Sequence, residues 1–138
     1  MNKRFFKLIA FVAAIVLAAI ACTVEYIYHG IALVNNSSYN IHIQWDIETE
    51  GVQNFALPIG ETKESKTKRY PPPQVSSATI TFEDGKVLKY SKKDKGRSLC
   101  NQRYLKSVPV TNKHDFLEFH TFTITDEDYA LAKLPSEE

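Results

Sequence analysis

From Tyr39 to Ile47 the chain alternates without a break. Tyr39, Ile41, Ile43, Trp45 and Ile47 are apolar, and Asn40, His42, Gln44 and Asp46 between them are polar. Only an extended strand, with its side chains on opposite faces at a period of two, sorts these residues into one apolar and one polar side. The segment must therefore lie half-buried in a sheet. Trp45 is the only tryptophan in the chain, and it marks the centre of the expected core.

The neighbouring segments follow the same logic. Val24–Asn35 is rich in Val, Ile, Tyr and Leu, which suit a pleated surface. Gly30 interrupts it and predicts a kink or bulge. Asn35-Asn36-Ser37-Ser38 is a turn. Val52–Leu57 is a short strand that Pro58 ends, and Pro58-Ile59-Gly60-Glu61 turns the chain. Thr62–Tyr70 is polar and basic, as expected of an exposed edge strand whose lysines discourage further pairing. Pro71-Pro72-Pro73 is a stiff connector.

Ser77–Ser91 predicts a hairpin with Glu83-Asp84-Gly85 at its tip. A two-residue Asp-Gly turn would set Ile80 against Lys89. A three-residue turn with Gly85 left-handed pairs Phe82 with Lys86, Ile80 with Leu88 and Ala78 with Tyr90. The second register keeps the apolar residues on one face, so it is the one expected. Lys92–Arg103 predicts a loop and Tyr104–Val110 a short strand. In Asp115–Thr125 the apolar phase shifts: Leu117 and Phe119 are odd, Phe122 and Ile124 even. Either a bulge near His120–Thr121 or burial on both faces of a central strand accounts for this, and the bulge is favoured. Thr125 then caps a short helix whose first acids, Asp126, Glu127 and Asp128, meet the positive end of its dipole. Tyr129, Ala130 and Leu131 can pack, and Pro135 is expected to stop the helix. The sum is an all-β chain: a single β-sandwich of about seven to eight antiparallel strands with a short C-terminal helix, after an N-terminal signal helix.

The N-terminus has the pattern of a secretory leader. Lys3, Arg4 and Lys7 precede an uncharged apolar run, Leu8–Ala21, that ends in small residues. Ala19-Ile20-Ala21-Cys22 resembles the lipobox of bacterial lipoproteins, with Ala19 where Leu is usual. The resemblance implies cleavage before Cys22 and acylation of its thiol. Two other arrangements fit the leader: an uncleaved membrane anchor, for which the apolar run is slightly short, and plain secretion after Ala21. All three place the domain outside the cytoplasm. The expected division is a signal peptide, 1–21, and a β-sandwich domain, 22–138. Two or more acyl chains hold a protein stably on a bilayer, so the lipid bilayer is the expected first partner, through Cys22.

Charge argues against a nucleic-acid partner. The leader holds three of the 17 basic residues and none of the 16 acids, so the remainder carries 14 bases against 16 acids, a net −2. The bases concentrate in residues 61–106. A solvated set of faces and loops is the simplest account of this. A basic surface formed by Lys63, Lys66, Lys68, Arg69, Lys92 and Lys93 and facing an acidic partner, glycan or anionic lipid is the sharper one.

Chemistry-bearing residues are few. Glu118 and His120 share a strand face and suit a metal, but zinc takes three or four ligands and no second pair stands at a telling spacing. His42 and Asp46 share the outer face of the Trp45 strand. His29 and His114 have no evident partner. Cys100 is unpaired if Cys22 carries lipid; if it does not, a Cys22–Cys100 disulfide is the main alternative to a free thiol. No phosphate loop, zinc-protease helix or nucleophile elbow occurs. The expected assignment is therefore no catalytic residue, no metal and no cofactor.

Ile80-Thr81-Phe82-Glu83-Asp84-Gly85-Lys86 and Phe122-Thr123-Ile124-Thr125-Asp126-Glu127-Asp128-Tyr129, with the leader, resemble stretches of small envelope lipoproteins of Bacteroides and relatives. The resemblance implies a compact β-sandwich in the cell envelope, facing the periplasm or the surface, and carries over no catalytic residue. The function expected is that of a membrane-tethered, non-enzymatic binding or accessory module for an envelope protein or glycan. The alternatives are an inhibitor or immunity-type lipoprotein that blocks a secreted enzyme through the basic region, and an envelope hydrolase using His42 or His120.

Overall fold

The alternating segment forms strand β2 (Ile41–Ile47), and every odd residue of it is buried. The computed structural model describes residues 2–21, 26–48, 50–67, 73–111 and 115–137. Around β2 the chain runs α1 (Lys3–Ala21), β1 (Tyr26–Asn35), β2, β3 (Gly51–Leu57), β4 (Thr62–Thr67), β5 (Val75–Phe82), β6 (Val87–Ser91), β7 (Lys106–Thr111), β8 (Asp115–Ile124) and α2 (Asp126–Leu131). The strands make two four-stranded sheets, ordered β4-β1-β8-β7 and β3-β2-β5-β6. Ile31, Leu33, Phe122 and Ile124 of the first sheet share one buried cluster with Ile43, Trp45, Ile80 and Phe82 of the second. Each such side chain contributes roughly 1.5–3 kcal/mol by leaving water. The arrangement is mostly β and consistent with a β-sandwich.

The antiparallel expectation fails at one pair. β1 and β8 run parallel, in unbroken register from Tyr26 opposite Asp115 to Asn35 opposite Ile124. Both are central, and strands covered on both faces lose the clean alternation that identifies β2. Residues 29–33 are accordingly buried without interruption. The same placement removes the expected bulge near His120–Thr121: β8 pairs continuously with β1 and with β7. Its shift of phase reflects burial on both faces, with Phe119 on the outer side and Phe122 and Ile124 in the core. A register shift occurs instead in β5, where it passes Asp46 and Ile47 of β2.

Gly30 makes neither a kink nor a bulge. It sits opposite Phe119 in a regular ladder. An added Cβ there would stand 2.7 Å from Phe119 Cε1 and 2.8 Å from the Ser65 carbonyl oxygen. The glycine is required by close approach, not by backbone bending.

Several local expectations hold. In the hairpin, Ala78 pairs with Tyr90 and Ile80 with Leu88. Phe82 N donates to Lys86 O at 2.8 Å, and Gly85 has φ +92°. β4 is the edge strand of its sheet. The turn after β1 is held by Asn35, fully buried, whose Nδ2 donates to the carbonyls of Tyr39 and Leu57 at 2.8 and 2.9 Å. Thr125 caps α2 with Asp128 in a reciprocal capping box. The helix ends at Leu131, before Pro135 is reached, because Lys133 leaves it to exchange two backbone hydrogen bonds with Val87, at 2.7 and 3.0 Å. Of the residues expected to pack, Tyr129 stacks on Tyr39 with centroids 3.9 Å apart, while Leu131 stays exposed.

α1 starts at an Asn2 cap, whose Oδ1 accepts from Arg4 N at 3.3 Å. Phe5, Phe6, Leu8, Ile9, Phe11 and Val12 are all at least half exposed on it. Among the described residues, no helix is long and apolar enough to cross a membrane.

The Gly30 packing predicts that Gly30→Ala destabilises the domain by about 1–3 kcal/mol, the usual cost of overpacking. Adding Phe119→Ala should not restore the loss, because the Ser65 carbonyl remains in the way. Urea denaturation of the single and double variants checks this.

Candidate functional site

The parallel pairing of β1 and β8 brings three polar side chains onto the inner face of the first sheet. In β1 the odd residues face the core, as Ile31 and Leu33 show; in β8 the even ones do, as Phe122 and Ile124 show. Continuing each row toward the strand starts gives His29 in β1 and His120 and Glu118 in β8. His29 stands opposite Glu118 in register, and His120 is opposite Ile31. The ligand atoms of His29, Glu118 and His120 all lie within 4.8 Å of one another.

The details are ordered. His29 Nδ1 is 3.9 Å from Glu118 Oε2. The two imidazoles are 6.3 Å apart between centroids and inclined by 22°. Ser107 of β7 is paired with His120 and donates its hydroxyl to Glu118 Oε1. His29 is buried, and Glu118 and His120 are half-buried. Two imidazoles and a carboxylate are a donor set for a transition metal.

Beside this cluster a hydrogen-bond chain joins the two sheets. Trp45 Nε1 donates to Gln53 Oε1 at 3.2 Å, and Gln53 Nε2 donates to Glu50 Oε2 at 3.0 Å. Ser65 of β4 donates to both oxygens of Glu50 at 2.8 Å.

A second charged group lies under α2. Asp128 is almost fully buried. It accepts from Arg97 Nη2 at 2.9 Å, Arg97 Nε at 3.2 Å, Tyr90 Oη at 3.3 Å and Thr125 N at 2.9 Å. Arg97 also donates to Thr123 O at 2.6 Å and lies 4.4 Å from the Phe122 ring centroid. The hydrogen bond to Asp128 pushes the Arg97 guanidinium further up, and burial pushes the Tyr90 phenol up. Every polar atom here serves the fold, so this network is a structural lock.

The other sequence candidates separate. His42 is exposed and Asp46 half-buried on β2. Four residues of strand, roughly 13 Å, divide them, so they form no acid–base pair. Lys63 and Lys66 point to opposite faces of β4: Lys63 Nζ lies 5.2 Å from the Phe55 ring and Lys66 Nζ 5.8 Å from the Phe119 ring. Lys92 and Lys93 follow β6, the edge of the other sheet, and Lys92 pairs with Glu48. There Lys92, Lys95, Arg103 and Asp94 line a cleft of about 590 Å³ that also reaches Cys100. Cys22, Lys68, Arg69 and His114 lie outside the described residues, as do Pro71 and Pro72 of the predicted connector. Cys100 is a free, half-buried thiol, and burial pushes it up to about 11.

The Glu118–His120 pair is visible in the sequence; its third member is not. His29 shares the parity of Ile31 and Leu33, which places it on an inner face. Nothing local says that the first strand lies beside the last.

Comparison of the chain with protein-family models, with curated proteins and with solved structures finds no match.

Two outcomes are expected. Arg97→Ala should cost about 3 kcal/mol by leaving Asp128 as a buried, poorly compensated charge. Asp128→Ala should cost less, because Arg97 can turn to water. The double variant should cost less than the sum, and a thermodynamic cycle from denaturant melts measures the difference. In the Cys22→Ala chain, where Cys100 is the only thiol, alkylation by iodoacetamide at pH 8 should be about a hundredfold slower than for an ordinary thiol and should rise toward pH 11. A rate equal to that of a free thiol would mean that the loop around Cys100 opens readily.

Proposed function

We propose that the chain is a bacterial envelope lipoprotein whose β domain is a non-enzymatic binding or accessory module, anchored to a membrane by acylated Cys22. The observation that carries this reading is the leader: three basic residues, an apolar run and small residues directly before a cysteine. Two features of α1 support it. Its described apolar side chains are not covered by the β domain, so water alone is a poor environment for them. The uncharged part, Leu8–Ala21, spans roughly 21 Å at 1.5 Å per residue, against a bilayer core of about 30 Å. Removal of the helix fits these lengths better than its retention as an anchor. The partner is an acidic envelope protein or glycan, met by the basic residues that follow β6 and the cleft beside them.

The intact mass of the membrane-extracted protein tests the anchor. The expected mass is that of a chain beginning at Cys22 plus its acyl groups, and Cys22→Ala should lose the acyl mass and leave the membrane fraction. An unmodified chain in the membrane fraction would overturn the reading. Charge reversal at Lys92 and Lys95 should then reduce capture of envelope partners while leaving the acyl mass unchanged.

A further inference from the structure

We propose that His29, Glu118 and His120 bind one divalent transition-metal ion of the zinc class. This goes beyond anchoring and partner binding, and depends on neither. The donor set is chemically selective. Two imidazole nitrogens and one carboxylate oxygen are a set that zinc accepts from three protein residues, with a fourth position left to water or another ligand. Calcium and magnesium take oxygen donors in larger or largely hydrated shells, which this cluster does not supply.

The geometry is close to what binding needs. Bonds to zinc of about 2.0–2.1 Å place tetrahedral ligands roughly 3.3 Å from one another. The three ligand atoms already lie within 4.8 Å. Small side-chain rotations of Glu118 and His120, both half-buried, close the remaining gap while the strands stay fixed. The strands themselves are rigid supports, since β1 and β8 are the two central members of their sheet.

The carboxylate is already oriented. Ser107 holds Glu118 Oε1, and Oε2 is the oxygen that faces His29 Nδ1 at 3.9 Å. A hydroxyl that holds one carboxylate oxygen and leaves the other for the metal is the kind of outer-shell support that tunes metal affinity. The half-exposure of His120 and Glu118 leaves a route for the ion from solvent.

The test uses the full chain in detergent, without an affinity tag and stripped with a chelator. Zinc chloride is titrated by calorimetry, with calcium chloride as the control. The expected result is saturable zinc binding at one ion per chain and none for calcium. At zinc about a hundredfold above Kd, the melting temperature should rise by roughly 5–10 °C. Cobalt in place of zinc should give the visible absorption of a low-coordinate site. His120→Ala and Glu118→Gln should each abolish the one-to-one binding while their metal-free circular dichroism matches the parent. Ser107→Ala should weaken it by about tenfold. His42→Ala, at an exposed histidine outside the cluster, should bind as the parent does. No saturable binding by the parent, or binding retained in the His120→Ala, Glu118→Gln double variant, overturns the proposal.

Discussion

The pairing of the first strand with the last, side by side and parallel at the centre of one sheet, is the constraint on which the rest depends. A parallel pair cannot be joined by a tight turn. Here everything from Asn36 to the start of β8 forms the connection, including the whole second sheet. The core therefore cannot be completed until the C-terminal strand arrives beside β1. Contacts so distant in sequence carry the full loop-closure cost before they contribute stability. The burial of residues 29–33 on both faces is the compensating gain, concentrated where the closure occurs.

The legible parts of the fold are those decided by neighbours in sequence. β2 alternates because one face is wet. The Ser77–Ser91 hairpin declares its register because only one pairing gathers Ala78, Ile80, Leu88 and Tyr90 on a common face. The capping box at Thr125 and Asp128 needs only four consecutive residues. The misread parts are those decided across the sheet. Gly30 suggests a bend when taken alone, and its reason is the Phe119 ring contributed by a strand some ninety positions later. The broken phase of β8 suggests a bulge only if one face is assumed to be solvated. Pro135 looks like the helix stop until Lys133 is seen to pair with Val87. In each case a distant partner outweighed a sound local rule.

The candidate site follows the same division. Glu118 and His120 are two apart on a strand, so their shared face is visible without any structure. His29 joins them only through the β1–β8 register. Lys63 and Lys66 do not share a surface, for a local reason that composition hides: residues an odd number apart on a strand face opposite ways, so the two, although close in sequence, cover Phe55 and Phe119 on different sides of β4.

The two groups of inward-facing polar residues differ in what surrounds them. Asp128 accepts from Arg97, Tyr90 and Thr125, and this set closes the sandwich beneath α2. Such a network rigidifies the structure because every member is satisfied. The His29–Glu118–His120 group is on inner-facing rows that elsewhere hold Ile31, Leu33, Phe122 and Ile124. Apolar residues there would extend the core at lower cost than two imidazoles and a carboxylate, which lose hydration on being drawn inward. Polar residues that break a hydrophobic row at a functional position are a common exception to consistent core design. A metal ion would turn this cost into a gain, because it bonds all three donors at once and links β1 to β8. It would act near the start of β1, four positions after Cys22 in the chain, where a domain tethered through that cysteine would first feel the pull of its anchor.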